Sequence, residues 1–149
     1  MAAAAWRLYA KAKEYIGDGT ITLGTGGFKM ALFRGSSNTS TITLSTLASV
    51  TVQASGGAYT AGGKYLAPSA GTWTLAGSTV TFDYTSLGIT FTASGSAISA
   101  VQYAVIYKAG SASAAKLLCW SKLSASAFSV ADPNTLTVLP AATGVFTLT

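Results

Sequence analysis

Between residues 20 and 148 hydroxyl-bearing and large apolar residues alternate at period two, in runs such as Thr79-Val-Thr-Phe-Asp-Tyr84, Gly88-Ile-Thr-Phe-Thr92 and Leu136-Thr-Val-Leu139. Such alternation sends every second side chain to a core and the others outward, as a half-buried β-strand requires. Turn residues interrupt it roughly every ten positions, the rhythm of an all-β sandwich or barrel. The pattern predicts strands at 20–23, 28–33, 41–44, 49–53, 64–66, 72–75, 79–84, 88–92, 101–108, 116–121, 135–139 and 145–148. Two runs, Phe28-Lys-Met-Ala-Leu-Phe33 and Val101-Gln-Tyr-Ala-Val-Ile-Tyr107, are apolar on both faces and predict central strands covered on each side.

The opening stretch follows a different period. Ala5, Leu8, Ala12, Tyr15 and Ile16 recur at helical spacing, predicting a helix over about 3–16 that Gly17-Asp-Gly19 stops. Arg7, Lys11 and Glu14 would then occupy its polar face. Loops are expected at the glycine- and serine-rich punctuation: 24–27, 35–38, 56–57, 62–63, 76–78 and 110–114, with 75–79 forming a hairpin. The expected fold is mainly β: an antiparallel β-sandwich, or sandwich-like barrel, with one short N-terminal α-helix. Neither a linker nor a composition shift divides the chain, so one domain over 1–149 is expected, with the sandwich from about 20 onward.

Composition narrows the chemistry. The chain has no histidine, one cysteine and four carboxylates, Glu14, Asp18, Asp83 and Asp132. Proton transfer and metal binding therefore have few side chains to use. The glycine clusters lack the GKS or GKT of a P-loop and the strand-to-helix setting of a dinucleotide fingerprint. Asp83 and Asp132 would have to converge for glycosidase chemistry, yet both stand where turn-forming aspartates commonly do. No DxDxD-like cluster offers calcium its oxygens. Cys119, between Leu118 and Trp120, has no possible disulfide partner within the chain and reads as a small buried hydrophobe. The expectation is a non-enzyme without cofactor or metal, whose function is adhesion. Trp73, Tyr84, Tyr103, Tyr107 and Trp120 could instead line a sugar-binding face, though in a β protein such rings more often fill the core.

Charge is sparse, at 9% of residues, and nine basic against four acidic residues give a net charge of +5. The one cluster is Arg7, Lys11 and Lys13, with Trp6 beside it; these four are the candidate partner-contact residues. The other basic residues are isolated, which argues against specific nucleic-acid binding and for a partner surface of net negative charge. No stretch approaches the ~18 apolar residues that span a bilayer, and Arg7 and Lys11 interrupt the apolar start before a secretion signal could form. Solubility where the chain is made is the expectation.

Several stretches, taken in order, resemble a group of small structural proteins from the virions of tailed bacteriophages: Tyr9-Ala-Lys-Ala-Lys-Glu-Tyr-Ile16, Gly19-Thr-Ile-Thr-Leu23, Phe28-Lys-Met-Ala-Leu-Phe33, Tyr59-Thr-Ala-Gly-Gly-Lys64, Tyr103-Ala-Val-Ile-Tyr-Lys108 and Gly144-Val-Phe-Thr-Leu-Thr149. The sequence departs from that pattern after Lys108, where Ala109-Gly-Ser-Ala replaces an acidic residue. The resemblance implies a non-enzymatic β-sandwich at the capsid surface, a decoration (cement) protein whose partners are the major capsid protein and its own copies. A trimer is the form suggested by the threefold sites of shells. Neck, collar or tail components, and a glycan- or receptor-binding module, are the alternatives.

Overall fold

The computed structural model describes residues 4–66, 72–84, 88–111, 113–141 and 143–148. Its elements are antiparallel strands and one short α-helix, packed in a sandwich-like arrangement. In chain order they are β1 (Arg7–Leu8), α1 (Ala10–Gly17), β2 (Phe28–Arg34), β3 (Lys64–Tyr65), β4 (Thr72–Ala76), β5 (Thr79–Asp83), β6 (Ile89–Thr92), β7 (Ile98–Lys108), β8 (Lys116–Lys122), β9 (Phe128–Val130), β10 (Thr135–Val138) and β11 (Phe146–Leu148). A single turn of 3₁₀ helix occupies Leu47–Ser49.

The main sheet runs β1-β8-β7-β2-β3, with β9 extending along β7. Its middle strands are the doubly apolar runs: Met30, Ala31 and Leu32 of β2, Val105 and Ile106 of β7, and Leu118 and Cys119 of β8 are all fully buried. A strand buried on both faces needs a layer on each side. One layer is the three-stranded sheet β11-β5-β4, whose Phe82 meets Phe28 with ring centroids 5.4 Å apart. The pair β10-β6 adds Leu136, Phe91 and Val138 to the same core. Helix α1 packs beside β8 through Ala12 and Tyr15.

The helix is shorter than its sequence period suggests. Residues 6–9 are extended: Arg7 and Leu8 pair with Trp120 and Cys119, and the Tyr9 N–H donates to the Leu118 carbonyl. Edge pairing on β8 outweighs helical propensity there, because it buries Trp6 and Tyr9 while Arg7 points out. The helix starts at Ala10, whose N–H donates to the Ile42 carbonyl. It ends as expected, with the Asp18 carboxylate accepting the Thr20 N–H and Gly19 at φ +78°. Position 3 of the expected helix and position 112 of the expected 110–114 loop lie outside the described residues.

Three expected strands are not strands. Across 20–23 burial alternates, with Ile21 and Leu23 inside, but the Ile21 N–H bonds back to Tyr15 instead of joining a ladder. Residues 41–44 turn, leaving Ile42 56% exposed. The 49–53 run holds the end of the 3₁₀ turn and a single bridge, Gln53 to Phe33. Conversely, β9 was not expected; it pairs with β7 across an irregular register that includes Ala100 at φ 54°.

Strand β2 has a broken neighbour on one edge, Gln53 at one end and β3 at the other. The Tyr59 hydroxyl fills the gap, accepting hydrogen bonds from the Leu32 N–H at 2.8 Å and the Gln53 side chain at 3.1 Å. The turn that brings β3 back passes so close to β2 that a Cβ on Gly63 would sit 1.8 Å from the Met30 carbonyl oxygen.

Buried phenols and the buried thiol set the response to alkali. Burial pushes the Tyr59 hydroxyl up to about 12, and it raises Tyr9, Tyr84 and Cys119 as well. In the unfolded chain the thiol ionises near ~8.5 and the phenols near ~10. Groups raised by folding stabilise the native state below their unfolded values and lose that contribution as pH climbs toward their folded values. Urea midpoints should therefore be flat from about pH 6 to 7.5, should begin to fall above about pH 8.5 as the unfolded thiol ionises, and should fall steeply above about pH 10 as the phenols follow. Tyr59 alone accounts for a loss on the order of 2–3 kcal/mol by its folded value; a midpoint unchanged at pH 11 would contradict this.

Candidate functional site

The four candidate contact residues do not share a helical face. Trp6 lies in the extended segment, only 7% exposed, with its ring edge-on to Tyr84 at 6.2 Å. It is a core residue, and its ring is not available to a partner. Arg7 projects from β1. Lys11 and Lys13 stand on α1, Lys11 in an ion pair with Glu14. That is the one ion pair among the described residues, and both partners are exposed, so it contributes little to stability.

The sheet gathers a different group around Arg7. Arg7 lies opposite Trp120, Lys122 follows two residues along β8 on the same face, and Tyr103 of β7 lies opposite Lys122. The Arg7 guanidinium stands 5.7 Å over the Trp120 ring, and Tyr103 meets Trp120 edge-on at 6.0 Å. Together with Ala4, Ala5 and Ser40 these residues line an open groove of about 510 Å³. Two exposed cations thus flank two aromatic rings, with no carboxylate among the lining residues.

The same substitution of rings for carboxylates recurs. Lys116 approaches Tyr15, Lys29 stands over Tyr65, Lys64 over Phe91 and Lys108 over Phe28, at 4.6 to 5.9 Å from the ring centres, whereas Lys11 meets Tyr15 and also its Glu14 partner. Such contacts stabilise by about 0.5–1 kcal/mol when exposed and orient the cation, yet leave its charge uncompensated. Arg34 is held by the hydroxyls of Ser55 and Ser99 instead. The molecule therefore displays positive potential held in place by its own rings and hydroxyls.

The residues weighed for chemistry are dispersed. Asp83 sits on β5 and accepts its neighbour's Tyr84 N–H, while Asp132 is exposed in the turn after β9. No group of three or more histidine, cysteine or acidic side chains lies together among the described residues. Tyr84, Tyr107 and Trp120 are buried; Tyr103 and Trp73 are half-buried, Trp73 against Phe146 at 6.1 Å. No helix among the described residues is long and apolar enough to cross a membrane.

No protein-family model matches the chain, and no curated protein or solved structure is significantly similar to it.

Arg7 was legible in the sequence as part of a basic cluster. Tyr103 and Trp120 stood out only as aromatics for a sugar-binding face and Lys122 only as an isolated basic residue; their meeting with Arg7 was not legible, because β7 and β8 reach the groove from far along the chain. Cys119 behaves as its apolar neighbours suggested, fully buried with its thiol pushed well up by burial. A thiol-reactive dye should therefore leave the native protein unlabelled at pH 8 and modify one site per chain in denaturant; fast native labelling would show the β1–β8 edge to be open.

Proposed function

We propose that the chain is a non-enzymatic structural protein of a tailed-phage virion, a decoration protein that binds the capsid surface and stabilises the shell. The observation that carries this reading is the groove of Arg7, Lys122, Tyr103 and Trp120, two exposed cations beside aromatic rings and without a carboxylate. An acidic protein surface complements it, and long-range attraction between the two speeds encounter and fixes orientation. The resemblance in sequence supports the same role: four of its six blocks fall on α1, β2, β7 and β11, while 19–23 and 59–64 fall mostly on turns and loops.

The physics of decoration suits this composition. A protein with few charges buries surface with little ion desolvation. Contacts of ~800 Å² per partner, repeated around a closed shell, then add through multivalency. Every bound copy draws the shell toward its assembled state by mass action. A glycan-binding module would need open tryptophan faces, whereas Trp120 is 7% exposed and Trp73 packs on Phe146.

The contact group follows from the geometry. Arg7 and Lys122 belong to it, Trp6 does not, and Lys11 and Lys13 stand on α1 outside the groove lining. Replacing Arg7 and Lys122 together with Ser should lower affinity for purified undecorated shells about tenfold or more and flatten its salt dependence. Replacing Lys11 and Lys13 with Ser should have a smaller effect. Unchanged shell occupancy in the Arg7/Lys122 variant, with the fold intact by circular dichroism, would refute this contact.

A further inference from the structure

The sheet β11-β5-β4 starts in the core and ends outside it. Cross-strand pairing sets Trp73, Phe82 and Phe146 in one row and Leu75, Val80 and Leu148 in the next, all on one face. In the first row Phe82 is fully buried beneath Phe146, at 5.3 Å, and against Phe28. One row farther, toward the Gly77-Ser78 turn, the same face has left the body: Leu75 is 67% exposed, Leu148 41%, and Val80 is half-buried. The reverse face is hydroxylic, with Thr74, Thr81 and Thr147 in register. Single exposed leucines are ordinary on a protein surface, but a cross-strand row of them continuous with a core marks an interaction face. At its inner end Trp73 also lines a groove of about 350 Å³ with Ile16, Ile21 and Leu23.

We propose that this face is where a second copy of the chain docks. Charge selects the occupant. The chain carries +5, so two copies repel wherever their cations meet, and none of the nine basic residues lies on β4, β5 or β11 or lines the adjoining groove. The one charge on these strands, Asp83, belongs to the threonine side. An acidic partner would gain nothing from so neutral a surface, whereas an identical neutral, apolar surface is complementary to it. A twofold axis through the face would bring the Leu75–Val80–Leu148 rows of two protomers together, each residue meeting its counterpart's neighbours. That row is too small to supply the ~800 Å² per partner of a stable interface, so the contact extends along Trp73 and Phe146 into the groove. The inference does not rest on the shell-binding reading, because it uses none of the basic residues.

Sedimentation velocity of the full chain over a dilution series tests it, comparing the unaltered protein with Leu75→Glu and with Thr74→Glu, an equally accessible change on the opposite face. The unaltered protein and Thr74→Glu should form a dimer or larger closed species at high concentration. Leu75→Glu should weaken association about tenfold or more while keeping the native circular dichroism spectrum. Leu148→Ser provides a second, milder variant should Leu75→Glu fail to fold. A monomer at every concentration, undiminished assembly of the Leu75 and Leu148 variants, or equal loss in the Leu75 and Thr74 variants would each overturn the proposal.

Discussion

Strands β2, β7 and β8 are apolar on both faces, and neither face can be left to water. Burying one large apolar side chain stabilises by about 1.5–3 kcal/mol, and these strands bury Phe28, Met30, Leu32, Phe33, Leu117, Leu118 and Trp120 together. Everything else in the molecule answers that demand. The sheet β11-β5-β4 brings Phe82 onto Phe28, α1 brings Tyr15 and Ala12 beside β8, and the N-terminal segment folds along β8 as β1. Where β2 lacks a neighbouring strand, the Tyr59 hydroxyl accepts the Leu32 N–H, since an unpaired buried donor would cost about 1–3 kcal/mol.

The same demand explains which elements could be read from the residues alone. The doubly apolar runs became β2 and β7, and the glycine at position 77 became the turn of the β4–β5 hairpin, because those signals are local and physical. The expected strand at 20–23 failed in an instructive way. Its alternation is real, with Ile21 and Leu23 inside, but alternation reports burial, and a segment draped over a core satisfies it without a ladder. The first residues failed for the opposite reason: alanine-rich sequence favours helix, yet the edge of β8 offered more burial to Trp6 and Tyr9 in extended form. Strand β9 is only three residues long and depends on the bent start of β7, so nothing local announced it.

The candidate site was half legible for a related reason. A linear cluster of basic residues drew attention to Arg7, and the structure keeps Arg7 while removing Trp6 to the core. What completes the groove is the lateral register of three strands, Arg7 beside Trp120 and Lys122 beside Tyr103, which no spacing along the chain encodes. The result separates two surfaces of different physics. One is cationic and aromatic, suited to an acidic neighbour; the other is neutral and apolar, suited to a copy of itself.

The most direct test of the proposed decoration role is the copy number of this chain in purified virions, read by quantitative mass spectrometry against the major capsid protein. Decoration of the shell predicts a fixed stoichiometry with the capsid subunit, amounting to hundreds of copies in a shell whose lattice offers as many equivalent sites. A dozen or so copies would relocate the protein to a unique vertex, and none at all would contradict the assignment to the virion.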